Sequence, residues 1–136
     1  MRRPLIYTES ADLTTKEEVD MSTTYWIVAG ITALAFFGSG TMKVTSSREK
    51  LLANKNMGWA SDFTANQIKL IGLAEVFGAA GLILPHTFNV APSLSKIAGL
   101  CLTLMMLGAA NTHRKREESF IPPLVLAIVA LVTVFL

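Results

Sequence analysis

The charged residues of this chain stand in blocks, and the stretches between the blocks are long enough to cross a bilayer, which takes roughly 20 apolar residues. That distribution constrains the fold more than composition does. The chain has 136 residues, 51% of them apolar, a content that a soluble domain reaches by burying a core. A soluble amphipathic helix, however, returns polar residues to its surface every third or fourth position. Here they vanish for whole segments.

Four such segments, about 24–42, 68–84, 94–110 and 119–136, predict an all-α, transmembrane four-helix bundle. Short loops between an even number of helices imply up-down-up-down order. Gly38 to Lys43 close the first span. The connector 43–66 carries Leu52, Trp59 and Phe63 at helical spacing, interrupted by Asn54, Asn56 and Gly58. It reads as short helical pieces lying in the interface, where the amphipathic indole of Trp59 belongs. Pro85-His86 reads as the stop of the second span, because proline cannot continue the hydrogen-bond ladder. Pro122 and Pro123 fall in the first turn of the last span, where missing N–H groups cost little. Gly30, Gly38, Gly72, Gly78, Gly81, Gly99 and Gly108 supply small surfaces for close helix approach in lipid. Residues 1–20 are polar and acid-rich, without the apolar middle of a secretory signal, and Met21 follows at once. They are expected to be a disordered or extraneous tail, with 21–136 as a single membrane domain.

The first connector and the start of the second span hold Lys43, Arg48, Lys50, Lys55 and Lys69, and the turn after the third span holds Arg114, Lys115 and Arg116. The remaining connection has only Lys96. An excess of Lys and Arg marks cytoplasmic loops, which predicts a multi-pass plasma-membrane protein with both termini outside.

Several function classes drop out. A net charge of +2 with no basic cluster interleaved with aromatics does not point to nucleic acid. The single cysteine, Cys101, lies in an apolar run and is expected to pack rather than react, and it excludes an internal disulfide or a multi-cysteine metal site. His86 and His113 fall at opposite ends of the spans and build no metal site together. No phosphate loop, nucleophile elbow or zinc-protease motif occurs.

Glu75 is the most informative residue. It lies six residues past Lys69, roughly 9 Å deeper along a helix. An ionisable group at that depth costs about 2.5–3.5 kcal/mol on insertion scales and normally faces protein or water. Its helical neighbours Gly72, Gly78 and Ala79 are small, so it is expected to face another helix. Three readings stay open: a polar clasp between spans, a proton-titrating or cofactor-contacting site, or a near-interface glutamate reaching headgroups. Lys43, Asn111 and His113 are the candidate partners at the same end. Glu75, Lys43 and Asn111 form the expected structural polar cluster; Glu75, Lys43 and His113 form the expected quinone or partner contact.

The ordered series Gly38–Lys43, Gly58-Trp59, Ile68–Pro85 with Glu75 at its centre, and Gly108-Ala109-Ala110 with His113 resembles the DoxX-like family of small four-helix membrane proteins. The likeness covers about residues 25–136. Relatives in that family include the membrane subunit of thiosulfate–quinone oxidoreductase, a protein associated with thiol and superoxide handling, and a distant receptor-assembly chaperone. The resemblance places the family's glutamate on Glu75 and its lysine on Lys43. It implies a subunit or assembly factor of a membrane redox or stress-response complex, not itself catalytic, or at most an accessory subunit of a quinone-linked oxidoreductase. No intrinsic cofactor is expected, with quinone the one candidate. Membrane lipids and a membrane-protein partner or a second copy are the expected contacts. The alternative reading is a small proton-coupled carrier using Glu75.

Overall fold

A computed structural model describes residues 5–136, with the side chains at 5–8 and 17–21 outside the description. The described chain is helical throughout: α1 (Leu5–Thr45), α2 (Arg48–Leu52), a 3₁₀ segment (Lys55–Asp62), α3 (Ala65–Thr87), α4 (Ser93–Lys115) and α5 (Ile121–Phe135). Three stretches, Ser22–Thr45, Ala65–Thr87 and Ser93–Lys115, are long and apolar enough to cross a membrane. The fourth expected span, α5, is apolar but has only 15 residues, about 22 Å at 1.5 Å per residue.

Contacts along the helices give the order. Tyr25 near the start of the first span donates to the Leu82 carbonyl late in α3, at 2.7 Å, whereas Lys43 at the other end meets Glu75. A Cβ on Gly81 would meet Ala98, one on Gly78 would meet Leu102, and one on Gly99 would meet Thr133. Each helix therefore runs antiparallel to the next, and α5 returns against α1.

The spans are apolar on both their inner and outer faces, and the inner face mixes alanines with a few large side chains. The shared core holds Ala33 and Phe36 from α1, Ala79 and Leu82 from α3, Leu102 and Met106 from α4, and Ala127 and Ala130 from α5. The outer faces carry larger groups, among them Leu34, Phe37, Leu70, Phe77, Leu104 and Ile128. Three buried threonine hydroxyls turn back onto their own helices, Thr32 to Val28, Thr103 to Gly99 and Thr133 to Ala130, which satisfies these donors within the helix. The alanines at the helix contacts are what lipid selects, because close backbone approach replaces the hydrophobic drive between helices.

Several boundaries differ from the sequence reading. α3 passes through Pro85 and ends after Thr87. Proline in a last turn forfeits only one ladder bond, to Gly81, and the preceding packing holds the helix straight on. Its start is set by a capping box, with Thr64 and Gln67 satisfying each other's backbone N–H groups. Residues 5–20, expected as a tail, continue α1 without a break, with exposed side chains at 9–16; residues 1–4 of that expectation lie outside the described residues. Cys101 is exposed on the outer face of α4 rather than packed, on the same side as Ile97 and Leu104. In the connector, Leu51 rather than Leu52 is buried, joining Met57, Ala60 and Ile68 with Trp59 and Phe63 against them.

At the α1–α3 crossing two glycines bring backbone against backbone. A Cβ on Gly40 would lie 2.5 Å from the Gly72 carbonyl oxygen, and one on Gly72 would lie 2.7 Å from the Gly40 oxygen. Both obstacles are backbone and cannot turn aside. Gly72→Ala should therefore lower stability by about 1–3 kcal/mol through overpacking. Gly38→Ala, with nothing within 4 Å, should raise it by up to about 1 kcal/mol through helix propensity. Thermal unfolding of both variants in mild detergent checks the contrast.

Candidate functional site

On α3 the buried residues Ile68, Gly72, Glu75, Ala79 and Leu82 recur at three- and four-residue intervals, one stripe of the helix. Glu75 occupies a core position in that stripe, at 1% exposure. On α1 the facing stripe runs Ala29, Ala33, Phe36, Gly40 and Lys43, so Lys43 holds a core position too, at 6% exposure. The glycine contact one turn away draws the two backbones together and sets the two charges opposite each other.

Lys43 Nζ donates to Glu75 Oε1 at 2.6 Å and to Ser39 Oγ at 2.7 Å, and lies 5.5 Å from the centroid of the Trp59 ring. A charge-assisted bond of this length is among the strong ones, and the indole face adds a cation–π attraction. The second carboxylate oxygen, Glu75 Oε2, is buried with no hydrogen-bond partner among the described residues.

Beside this pair lies a cavity of about 410 Å³, within the range of small-molecule sites. Phe36, Ser39, Lys43 and Glu75 form one wall, α4 and α5 the opposite wall through Met105, Thr112, His113, Pro122 and Leu126, and Met57, Trp59 and Phe63 of the connector cover its basic end. The cover is tied down. Arg48 donates to the Phe63 and Ser61 carbonyls. Arg116 bridges Asp62 of the connector and Glu118, each at 2.8 Å, and Glu118 also meets His113 Nδ1 at 3.0 Å. Glu118 first and then Asp62 hold the Arg116 guanidinium above its ordinary range. α4 ends in a Schellman turn, with Glu117 N–H on Arg114 and Glu118 N–H on His113. Glu117 takes the left-handed position at φ 57°, which folds Glu118 back beside Arg116.

Of the residues singled out from the sequence, Lys43, Glu75 and His113 line this one cavity. Asn111 does not join them; it is exposed, in a separate groove with Leu107, Arg114 and Phe120. The reason is helical phase. Met105, Ala109, Thr112 and His113 share one face of α4, and Asn111, six residues past Met105, projects from another. His86 lies at the far end, stacked on Tyr25 at 4.1 Å and bonded to Ser95 at 2.8 Å. Sequence reasoning missed Ser39 as the second acceptor for Lys43, although its spacing four residues before Lys43 is visible. It also missed Trp59 as cover, because no local pattern tells which way a connector folds back. Among the described residues, no group of three or more His, Cys, Asp and Glu could hold a metal ion.

The family model described as DoxX-like matches residues 27–136, most of the chain. No curated protein and no solved structure matches it.

Removing one member of the pair leaves the other buried and uncompensated, a loss of about 3–5 kcal/mol. Lys43→Met and Glu75→Met should each lower stability on that scale, and the double variant should recover most of the loss. Additive losses in thermal unfolding would show that the two charges are not coupled. Arg116→Ala should leave the spans intact while amide hydrogen exchange in residues 55–63 rises several-fold. Unchanged exchange there would mean the connector is held without Arg116.

Proposed function

Because this chain belongs to the DoxX-like family of membrane proteins, we propose that it is a non-catalytic subunit or assembly factor of a membrane redox or stress-response complex, holding a quinone-type molecule beside the Lys43–Glu75 pair. The observation that carries the reading is the cavity itself. Its walls are apolar and aromatic, and its few polar groups converge at one end, around Lys43, Glu75 and His113. That combination suits a molecule with a flat polar head and an apolar body. The one wall hydroxyl seen bonded to a basic group, Ser39, accepts from a Lys43 ammonium that is itself paired with Glu75, which favours binding over chemistry. The exposed apolar faces of α1, α3 and α4 remain available to lipid and to a membrane-protein partner or second copy.

In this reading α5 serves as a fourth span, completing an up-down-up-down four-helix bundle. Its short length is made up by local thinning of the bilayer or by snorkelling of flanking residues. The basic end, with Lys43, Arg48, Lys50, Lys55 and Lys69 beside Arg114, Lys115 and Arg116, faces the cytoplasm, so the cavity opens toward the inner leaflet and both termini lie outside.

Purification in mild detergent, followed by mass spectrometry of the bound lipid and of co-purifying proteins, tests the proposal. Quinone retained by the parent protein and depleted at least tenfold in a Gly108→Phe variant, which fills the cavity wall, is the expected result. A monodisperse protein with neither partner nor quinone overturns it.

A further inference from the structure

The orphaned oxygen of Glu75 sets a chemical condition on what occupies the cavity. Resting on the quinone-type reading of that site, we infer that it selects the reduced, hydroxyl-bearing form: a neutral hydrophobic molecule whose phenolic O–H donates to Glu75 Oε2. The argument is an inventory of donors and acceptors. Lys43 engages Oε1 at 2.6 Å, and a carboxylate so paired can only accept. Oε2 is buried and has no partner among the described residues, and an unmet acceptor in an apolar setting is costly. Thr112 donates to the Gly108 carbonyl, His113 Nδ1 meets Glu118, and no described donor reaches Oε2. Phe36, Met105, Met106 and Leu126 offer no donor at all. An occupant that carries an O–H can supply the missing hydrogen.

The same inventory fixes charge and redox state. The buried charges at the cavity are compensated in place, Glu75 by Lys43. A cationic head would meet the Lys43 ammonium, and an anionic head would meet the free carboxylate oxygen. A neutral molecule remains. Between the two redox forms of a quinone, the oxidised one presents only carbonyl acceptors, which would set acceptor against acceptor at Oε2. The reduced one presents O–H donors to the same atom. A site built around a buried polar group rejects analogues that cannot pair with it far more strongly than an apolar pocket rejects a change of shape.

The test uses the full chain in nanodiscs of phosphatidylethanolamine and phosphatidylglycerol. A Trp26→Phe background leaves Trp59, on the cavity wall, as the sole tryptophan reporter. Two probe pairs are titrated, with partition into empty discs subtracted: 4-octylphenol against 4-octylanisole, which differ in the O–H and have no quinone chemistry, and decylubiquinol against decylubiquinone. Phenol and quinol should each bind at least about tenfold tighter than the methyl ether and the quinone. Glu75→Gln, whose amide both donates and accepts, should narrow the preference to within about threefold. If that variant fails to fold, the comparison in the parent chain still decides. Equal binding within both pairs overturns the inference and leaves the quinone reading standing. Preference for phenol with no binding of either ubiquinone form upholds the donor requirement and overturns the quinone reading. No binding of any probe overturns both.

Discussion

An ammonium and a carboxylate drawn from water into a hydrocarbon-lined interior each give up several kcal/mol of hydration, and this molecule is organised around recovering that loss. The contact between Lys43 and Glu75 does so in one short charge-assisted bond, with Ser39 and the face of Trp59 taking further shares of the lysine. Neither charge could sit where it does alone. Their placement therefore requires α1 and α3 to lie at one distance and in one register, and the Gly40–Gly72 contact supplies both. A helix pair pinned this way gives α4 and α5 a fixed surface to pack on. Leu102 against Gly78 and Thr133 against Gly99 repeat the small-against-large fitting at lower stakes.

Specificity rather than net stability is the more natural role for such a pair. A buried ion pair is often no better than well-packed apolar side chains of similar volume. In lipid, where the outside of every helix is as apolar as the inside, sliding or rotating one span against another costs little in hydrophobic terms. A single pair of charges removes that freedom, since any other register leaves both in hydrocarbon. The same pair leaves Glu75 Oε2 buried without a partner among the described residues, so the device that fixes the helix register also leaves one acceptor unmet.

The spans were legible because lipid writes them into the sequence as long runs without charge, and Glu75 was legible because it breaks such a run. The partner Lys43 followed from end-matching of antiparallel helices. Asn111 was misplaced because membership of the right end of a helix does not give the right face, and Leu52 because the helical spacing to Trp59 is broken where α2 ends. In helices that are apolar all round, the periodicity that marks the buried face of a soluble helix is nearly erased. The inward side is told by smallness instead, in Ala33, Ala79, Ala127 and Ala130. Pro85 misled because a stop rule written for helix interiors was applied to a last turn. The folding back of residues 55–63 over the cavity had no sequence signature, since it depends on Arg116 and Asp62, distant in the chain and meeting only in the fold.

The cavity is a consequence of where the packing stops. Toward the end where Tyr25 stacks on His86, the four helices close on alanine, threonine and leucine. Toward the basic end the fillers change: Gly108 leaves its side of α4 open, Pro122 and Pro123 stiffen the entry of α5, and the bulky groups that fill the space, Met57, Trp59 and Phe63, come from the connector and not from the spans. The connector that roofs this space is held by the Arg116 ion pairs and by the packing of Met57, Trp59 and Phe63 with Leu51, Ala60 and Ile68, and not by the Lys43–Glu75 bond itself. Arg116 is the tie between that roof and the α4–α5 turn, and exposed ion pairs of its kind are weak and exchange readily. Strength is concentrated where α1 meets α3, and weakness where the connector meets the α4–α5 turn.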